Sequence, residues 1–124
     1  MTARTFGKAE RLHSKKLIQE LFSKGSSFYL YPFKVLVLAN PNTEIKVHQV
    51  LFSASKRNFK KASDRNLIKR RGKEAYRLQK ITLSNTQSLI IAFLYTSKEL
   101  LSYELIHSAI GQALKKMEQK YVQR

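Results

Sequence analysis

The sequence predicts an α+β fold, a two-layer sandwich in which helices pack on a sheet in the order αβββαβα. Three stretches carry apolar residues at the three- and four-residue spacing of amphipathic helices. Between them lie runs of β-branched and aromatic residues bounded by turn signals, a pattern typical of strands. With 124 residues the chain can bury one core, so we predict a single domain spanning residues 1–124.

The first helix is predicted to follow a polar start, residues 1–12, which we expect to be flexible. Ser14 is placed to cap this helix and Gly25 is placed to end it. Its apolar face is formed by Leu17, Ile18, Leu21 and Phe22.

Two strand-like runs follow, Ser27–Ala39 and Ile45–Ala54. Pro32 indicates a break or an edge position, so the first run contains two strands or one, and one strand would change the order to αββαβα. The turn signal Asn40-Pro41-Asn42 separates the runs. We therefore predict that they pair as an antiparallel hairpin across this turn.

The second half of the chain contains a long helix, a strand and a final helix. From Phe59 to about Ile81 there is no Gly or Pro except Gly72, so a helix is the simplest interpretation. The continuous apolar run Ser88–Tyr95 predicts a central strand buried on both faces. The closing helix keeps an i, i+3, i+4 pattern, carried by Leu105, Ile106, Ala109, Ile110, Ala113, Leu114, Met117 and Tyr121.

The charge of the chain points to a polyanionic partner. There are 24 Lys and Arg against 8 Asp and Glu, a net charge of +16, which repels itself in a compact fold unless a polyanion binds. We expect nucleic acid as the partner and no membrane, because no apolar run approaches the roughly 18 residues of a span. We also expect anions to stabilise the free fold. The absence of Cys and of a secretory pattern predicts a cytoplasmic protein without thiolate zinc ligands or Cys nucleophiles.

More than half of this charge lies between Lys56 and Lys80, where eleven basic residues and two acidic ones give a balance of +9. At about 100° per residue, a helix gathers the polar side chains into an arc of roughly 140°. This arc contains Arg65, Asn66, Lys69, Arg70, Lys73, Arg77 and Lys80. A separate apolar arc contains Leu67, Ile68, Ala75 and Leu78. Gly72 lies at the border, where it would let the helix approach the sheet, and Arg71 is expected to bury its stem and extend its head outward.

The alternative interpretation of this arc is a solvated helix face. Solvated helices offset charge with acid–base pairs, whereas Lys69, Lys73 and Arg77 repel one another at i, i+4 unless phosphates lie between them. Asn66 adds a neutral donor and acceptor suited to a phosphate, a 2′-hydroxyl, a base edge or a hydrated metal ion on RNA. The pattern therefore favours a polyanion-binding helix.

The segment Ser53–Arg77, SASKRNFKKASDRNLIKRRGKEAYR, resembles the signature of the bacterial ribonuclease P protein family. That signature is a Ser-Lys-Lys element followed by Ala-Val-x-Arg-Asn-x-Ile-Lys-Arg-x-x-Arg-Glu. The matching positions here are Ser55, Lys56, Arg57, Ala62, Arg65, Asn66, Ile68, Lys69, Arg70 and Glu74. Outside the segment the resemblance extends to Lys8, Arg11, Leu12, Phe22, Gly25 and Phe33. The departures are a longer loop before Arg65, Ser63 in place of Val, Leu67 in place of a frequent basic residue, and Lys73 in place of Arg.

The resemblance implies a four-stranded sheet with a left-handed crossover, a fold type shared with the second domain of a ribosomal protein. It also implies a subunit of a tRNA-processing endonuclease, partnered by ribonuclease P RNA and precursor tRNA, in which the RNA and its Mg²⁺ perform the cleavage. The residues expected to bind RNA are Lys56, Arg57, Lys61, Arg65, Asn66, Lys69, Arg70, Lys73 and Arg77. A cleft between the first helix and the sheet is expected to hold the 5′ leader of the substrate, lined by Ile18, Phe22, Phe33 and Tyr121. Other aromatics available for stacking are Phe28, Tyr29 and Tyr31, and core packing is the alternative for each aromatic.

We expect no catalytic residue, metal site or cofactor on the protein itself. Phosphodiester hydrolysis would need clustered carboxylates or a His pair, but the carboxylates are scattered and His13, His48 and His107 lie on different elements. A structural RNA-binding protein of ribosomal type is the main alternative, since it would carry the same charge. A DNA-binding domain is disfavoured, because strands precede the basic helix instead of a helix and a short turn.

Overall fold

In the computed structural model, which describes residues 6–122, the helices and strands follow one another in the predicted order αβββαβα. They are α1 Lys15–Lys24, β1 Ser26–Leu30, β2 Phe33–Ala39, β3 Gln49–Ala54, α2 Ala62–Gln79, β4 Leu89–Tyr95 and α3 Tyr103–Tyr121. Single turns of 3₁₀ helix lie at Lys8–Glu10 and Lys80–Leu83. The first strand-like run therefore contains two strands.

The predicted ends of α1 are confirmed. The Ser14 side chain accepts a hydrogen bond from the Leu17 N–H at 3.3 Å, which caps the first turn. At the other end the Gly25 N–H donates to the Leu21 carbonyl at 2.9 Å. A Cβ at Gly25 would clash with that carbonyl oxygen, so the chain leaves the helix at a point where only glycine fits.

The four strands form one mixed sheet in the order β1-β2-β4-β3. β4 pairs antiparallel with β2 and parallel with β3, while β1 and β2 form the hairpin, across Tyr31-Pro32. The predicted hairpin between Ser27–Ala39 and Ile45–Ala54 is wrong, because β4 lies between those two strands. The five residues from Leu89 to Phe93 are all 0% exposed, and a strand that is apolar on both sides takes the centre of a sheet. α2 connects the parallel pair, and the left-handedness of this crossover stays a prediction.

α2 and α3 cover one face of the sheet, and α1 covers part of the other. Because strand residues alternate between faces, Phe33 and Val35 join the large cluster beneath α2 and α3, whereas Leu36 joins a smaller one beneath α1. The buried members of the smaller cluster are Leu12, Leu21, Leu36, Ile90 and Ala92. This division decides which side chains can meet beside α1.

α2 approaches the sheet at Gly72, as predicted. A Cβ at this position would lie 2.7 Å from the Phe52 ring, so a side chain there would hold the helix away from β3. The face turned inward differs from the predicted apolar arc: Tyr76 is fully buried, while Leu67 and Leu78 are half-buried. The Arg71 guanidinium does not extend into solvent, since it donates to the Leu101 carbonyl before α3.

Residues 6–12 lie along the edge of β3. The Leu12 N–H donates to the Val50 carbonyl at 3.0 Å, and the Leu12 side chain is 3% exposed. The Phe6 ring contacts the rings of Tyr76 and Phe52 edge-on, with centroids 5.7 and 6.3 Å away. This packing differs from the flexibility expected for residues 1–12, of which residues 1–5 lie outside the described residues.

Candidate nucleic-acid interface

The nine predicted RNA-binding residues all lie on α2 or on the loop that precedes it. The loop is anchored by Phe59, which is 6% exposed and packs on the Tyr95 ring with centroids 5.9 Å apart. The Asn58 side chain donates to the Thr96 carbonyl at 3.4 Å, which holds the loop against the end of β4. The residues with exposed side chains are Lys56, Arg57, Lys61, Asn66 and Arg70, and the half-buried ones are Arg65, Lys69, Lys73 and Arg77.

Arg65 turns back onto this loop. Its Nη1 atom donates to the Phe59 carbonyl at 2.6 Å and to the Lys60 carbonyl at 3.1 Å. A guanidinium carries five N–H donors, so the remaining ones can still donate to a phosphate. Arg65 therefore holds the loop in position as well as adding charge.

Arg11, which precedes α1, and Lys69 both lie near enough to Lys73 for their charges to act on it, and we call these three residues the cationic corner. Burial lowers the pKa of Lys73 first, and the nearby charges of Arg11 and Lys69 lower it further. Arg11 adjoins the candidate interface although the charge pattern of α2 could not reveal it, because an electrostatic interaction across 62 residues of chain, from Arg11 to Lys73, leaves no periodic signal. Three cations held this close favour an anion between them.

Two members of the predicted cationic arc are paired with acids. Arg77 forms an ion pair with Glu74 at 2.6 Å, and their hydrogen bond lowers the pKa of Glu74 and raises that of Arg77. Lys80 forms an ion pair with Glu10 at 2.6 Å, with both side chains mostly buried. The repulsion predicted along Lys69, Lys73 and Arg77 is therefore relieved at Arg77 by Glu74.

The four residues predicted to line the leader cleft do not come together. Ile18 and Phe22 lie on α1, with Phe22 52% exposed. Phe33 is 2% exposed beneath α2 and α3, with its ring centroid 5.6 Å from that of Phe93. Tyr121 packs on the same cluster as Phe33. The sheet therefore separates Phe33 and Tyr121 from α1, because odd-numbered residues of β2 point away from that helix.

The open part of the sheet beside α1 is formed by other residues. α1 starts after Leu12, bonded to Val50, and ends at Gly25, beside the Val37 carbonyl. It therefore crosses the sheet over the row in which Val50, Ile91 and Val37 are neighbours. A second row lies three residues further along the strands, roughly 10 Å away, and α1 does not cross it. We call this second row the open row. Its members, in order across the sheet, are Ser53, Leu94, Lys34 and Tyr29.

This row continues into the basic loop. Ser53 is followed by Ala54 and then by the loop that carries Lys56 and Arg57. Lys34 and Tyr29 are exposed, and Ser53 and Leu94 are half-buried. None of these residues is acidic. A flexible polyanion could therefore lie along the sheet, the loop and the start of α2 without meeting a negative charge from them.

The histidines have structural surroundings. His48 is half-buried, its Nδ1 accepts from the Leu89 N–H at 3.1 Å, and its Nε2 lies 3.1 Å from the Leu83 carbonyl. Burial lowers its pKa. Within residues 6–122 no three His, Asp or Glu side chains gather in a group that could hold a metal ion. In the same residues no helix has the length and apolar character that crossing a membrane requires.

The fold and this surface define a class: a small basic α+β domain with a cationic helix beside an open row of its sheet. The model of the ribonuclease P family matches residues 6–118. The ribonuclease P protein component of Porphyromonas gingivalis strain W83 is 32% identical over 117 residues, covering 89% of this chain and 85% of that protein. The corresponding protein of Chromohalobacter salexigens is 34% identical over 92 residues, covering 74% and 70%.

Solved structures agree with this match. The RNase P protein of Staphylococcus aureus superposes with a TM-score of 0.73 at 25% identity, covering 90% of this chain and 97% of that one. The fold is also that of the RNase P protein of Thermotoga maritima, with a TM-score of 0.72 at 20% identity over 86% and 96% of the two chains. This chain belongs to the ribonuclease P protein family. It is accordingly a protein component of an endoribonuclease complex that acts in tRNA processing.

Proposed function

We propose that this chain binds ribonuclease P RNA and the 5′ leader of precursor tRNA in the cytoplasm, and that the RNA subunit with its Mg²⁺ cleaves the substrate. The observation that carries the proposal is the cationic surface of the loop and α2, where Lys56, Arg57, Lys61 and Arg70 are exposed. Lys69 and Lys73 lie on the same helix and form no ion pair with a carboxylate of residues 6–122. An RNA phosphate bound there would relieve the repulsion among these cations. RNA binding would thus gain favourable electrostatic energy that the free protein lacks.

The RNA contact in this proposal consists of the cationic corner together with the exposed cations of the loop and of α2. Lys56, Arg57 and Lys61 lie on a loop that Phe59 and Arg65 hold in place, so little ordering is needed when RNA binds. Asn66 and Arg70 are exposed on the same helix. These cations would screen the phosphates of the catalytic RNA, so the RNA would need less Mg²⁺ for folding and cleavage.

The leader contact in this proposal uses α1 and the open row of the sheet. Ile18 and Phe22 stay candidates, joined by Tyr29, Lys34 and Leu94 in place of Phe33 and Tyr121. Exposed Phe22 and Tyr29 offer stacking surfaces, and Lys34 offers a phosphate contact, which are the two features that single strands require. The row leads toward Lys56, so one RNA strand could reach both contacts.

The experiment that tests the main proposal measures cleavage of a 5′-labelled precursor tRNA at low Mg²⁺. The reaction contains a bacterial ribonuclease P RNA with or without this protein, and a third reaction contains the protein alone. We expect the protein to be inert alone and to restore accurate 5′ cleavage by the RNA. No effect on the RNA would instead support the structural RNA-binding protein of ribosomal type.

The leader contact has its own test. Phe22→Ala removes an exposed ring, so we expect a loss of about 1 to 3 kcal/mol in binding of precursor tRNA to the holoenzyme and little change for mature tRNA. Ile81→Ala is the matched control, because Ile81 is 67% exposed and lies after α2, away from α1. Equal effects of the two substitutions would remove Phe22 from the leader contact.

A further inference from the structure

A second basic surface lies at the edge of the sheet opposite to the RNA contact proposed above. It is a groove between the edge strand β1 and the C-terminal half of α3, with a volume of about 240 Å³. The residues lining it are Ser26, Ser27, Phe28, Val37, Lys116, Met117, Lys120 and Tyr121. These include two lysines, two aromatic rings and two serine hydroxyls, and none of the lining residues is acidic.

The two lysines are held at the groove by uncharged neighbours. The Lys116 ammonium lies 5.0 Å from the centre of the Phe28 ring. The Lys120 ammonium lies 5.4 Å from the centre of the Tyr121 ring and donates to the Ser26 hydroxyl at 2.9 Å. Neither forms an ion pair with a carboxylate of residues 6–122. Their charge is thus positioned but not neutralised, which suits a phosphate.

The groove is separate from the first RNA contact. α2 packs on β3 through Gly72 and Phe52, whereas the groove lies at β1, three strands away. At about 4.8 Å per strand the two surfaces are roughly 14 Å apart across the sheet. A single RNA phosphate cannot bridge them, so the groove would need a different stretch of RNA.

We propose that this groove binds a single-stranded segment of RNA, with its phosphates on Lys116 and Lys120 and a base against Phe28 or Tyr121. The inference rests on the proposed RNA-binding function and adds a second contact to it. A concavity with aromatic walls admits one flexible strand, whose bases can reach the rings. A duplex presents phosphates on a convex surface with its bases stacked inside, so it cannot use the rings.

The test uses the full-length protein and a fluorescent oligouridylate of about twelve nucleotides. Affinity is measured at several salt concentrations for the wild type and for the Lys116→Gln/Lys120→Gln variant. Each phosphate contact of a single strand contributes about 0.7 to the slope of log K against log [salt], so we expect the slope to fall by about 1.4. Lys116→Arg/Lys120→Arg keeps both charges and should keep the slope, while thermal unfolding checks that each variant folds.

The matched control is Lys46→Gln/Lys98→Gln, which removes two exposed lysines that lie outside the helices and do not line the groove. We expect it to change the slope much less than the groove variant. A 4-thiouridine placed in the oligonucleotide should crosslink to Phe28 or Tyr121 as well as to the α2 surface. Equal slopes for groove and control variants, crosslinks confined to α2 and its loop, or equal competition by duplex RNA would each overturn the proposal. Failure of wild-type binding as a whole would count against the proposed function instead.

Discussion

Side chains of the same charge have different roles on α2, and their contacts distinguish those roles. Arg65 bonds to loop carbonyls and Arg77 bonds to Glu74, so both spend part of their hydrogen-bonding capacity on the protein. Lys69 and Lys73 form no ion pair within residues 6–122. We therefore expect substitutions of these two lysines to weaken RNA binding the most.

The first prediction concerns Lys69. Lys69→Gln should weaken binding of ribonuclease P RNA and lower the slope of log K against log [salt] by about 0.9, because one contact to a structured RNA backbone is lost. Arg65→Ala should weaken binding and also lower the unfolding temperature, since it releases the Phe59 and Lys60 carbonyls. Lys15→Gln on α1 is the control and should leave the slope nearly unchanged. If neither Lys69→Gln nor Arg65→Ala alters affinity or slope, α2 is not the RNA contact.

The second prediction concerns His48 and pH. Burial lowers the pKa of His48 below its ordinary value of 6.5, so the fold favours the neutral ring, whose Nδ1 accepts from the Leu89 N–H. This contribution to the free energy of unfolding is fully present above pH 6.5, decreases as pH falls toward the lowered pKa, and levels off below it. Denaturant unfolding of the wild type and of His48→Gln measures the effect. The variant should lose the pH dependence in this window, and identical profiles would show that other groups cause it.

At the scale of elements, α2 can pack closely on β3 because Gly72 has no side chain. Helix propensity alone favours Ala over Gly by about 1 kcal/mol. The Phe52 ring opposes this gain, because it stacks on the Phe93 ring with centroids 5.2 Å apart and has little room to move. Close packing therefore outweighs propensity at this position.

The third prediction follows from that contact. Gly72→Ala should destabilise the fold by about 1 to 3 kcal/mol in denaturant unfolding, the usual range for overpacking, although the helix gains propensity. The control is the same substitution in a Phe52→Leu background, where the smaller and more flexible side chain should reduce or reverse the loss. A stabilising Gly72→Ala in the wild-type background would show that the sheet yields at this point.

At the scale of the whole molecule, cations lie on two surfaces at opposite edges of the sheet. One surface is the loop and α2, and the other is the groove between β1 and α3. A net charge of +16 on 124 residues destabilises the free protein through charge repulsion, and a bound polyanion removes this repulsion. Stability and anion binding should therefore be linked.

The fourth prediction tests this linkage with sulfate as the probe. Sulfate should raise the unfolding temperature more than chloride does at equal ionic strength. The free energy of unfolding should increase by up to about 2.7 kcal/mol when sulfate is at 100 times its Kd. Because sulfate also stabilises proteins by exclusion from their surface, Lys69→Gln/Lys73→Gln serves as the control and should lose most of the gain. Equal gains for both proteins would mean that Lys69 and Lys73 do not form a specific sulfate site.

The sequence by itself determined the order of elements except for the number of strands in the first run, together with the cap at Ser14, the end at Gly25, the close approach at Gly72 and the family. These features depend on local spacing and on residue types within a few positions of each other. Only the tertiary structure decided that β4 separates β2 from β3, that Phe33 faces away from α1, and that Arg11 joins Lys69 and Lys73. Each of these depends on which distant segments pack together. A shift of one residue in the pairing of a strand moves every side chain on it to the opposite face of the sheet. The residues of the strand alone do not reveal which distant segment covers each face.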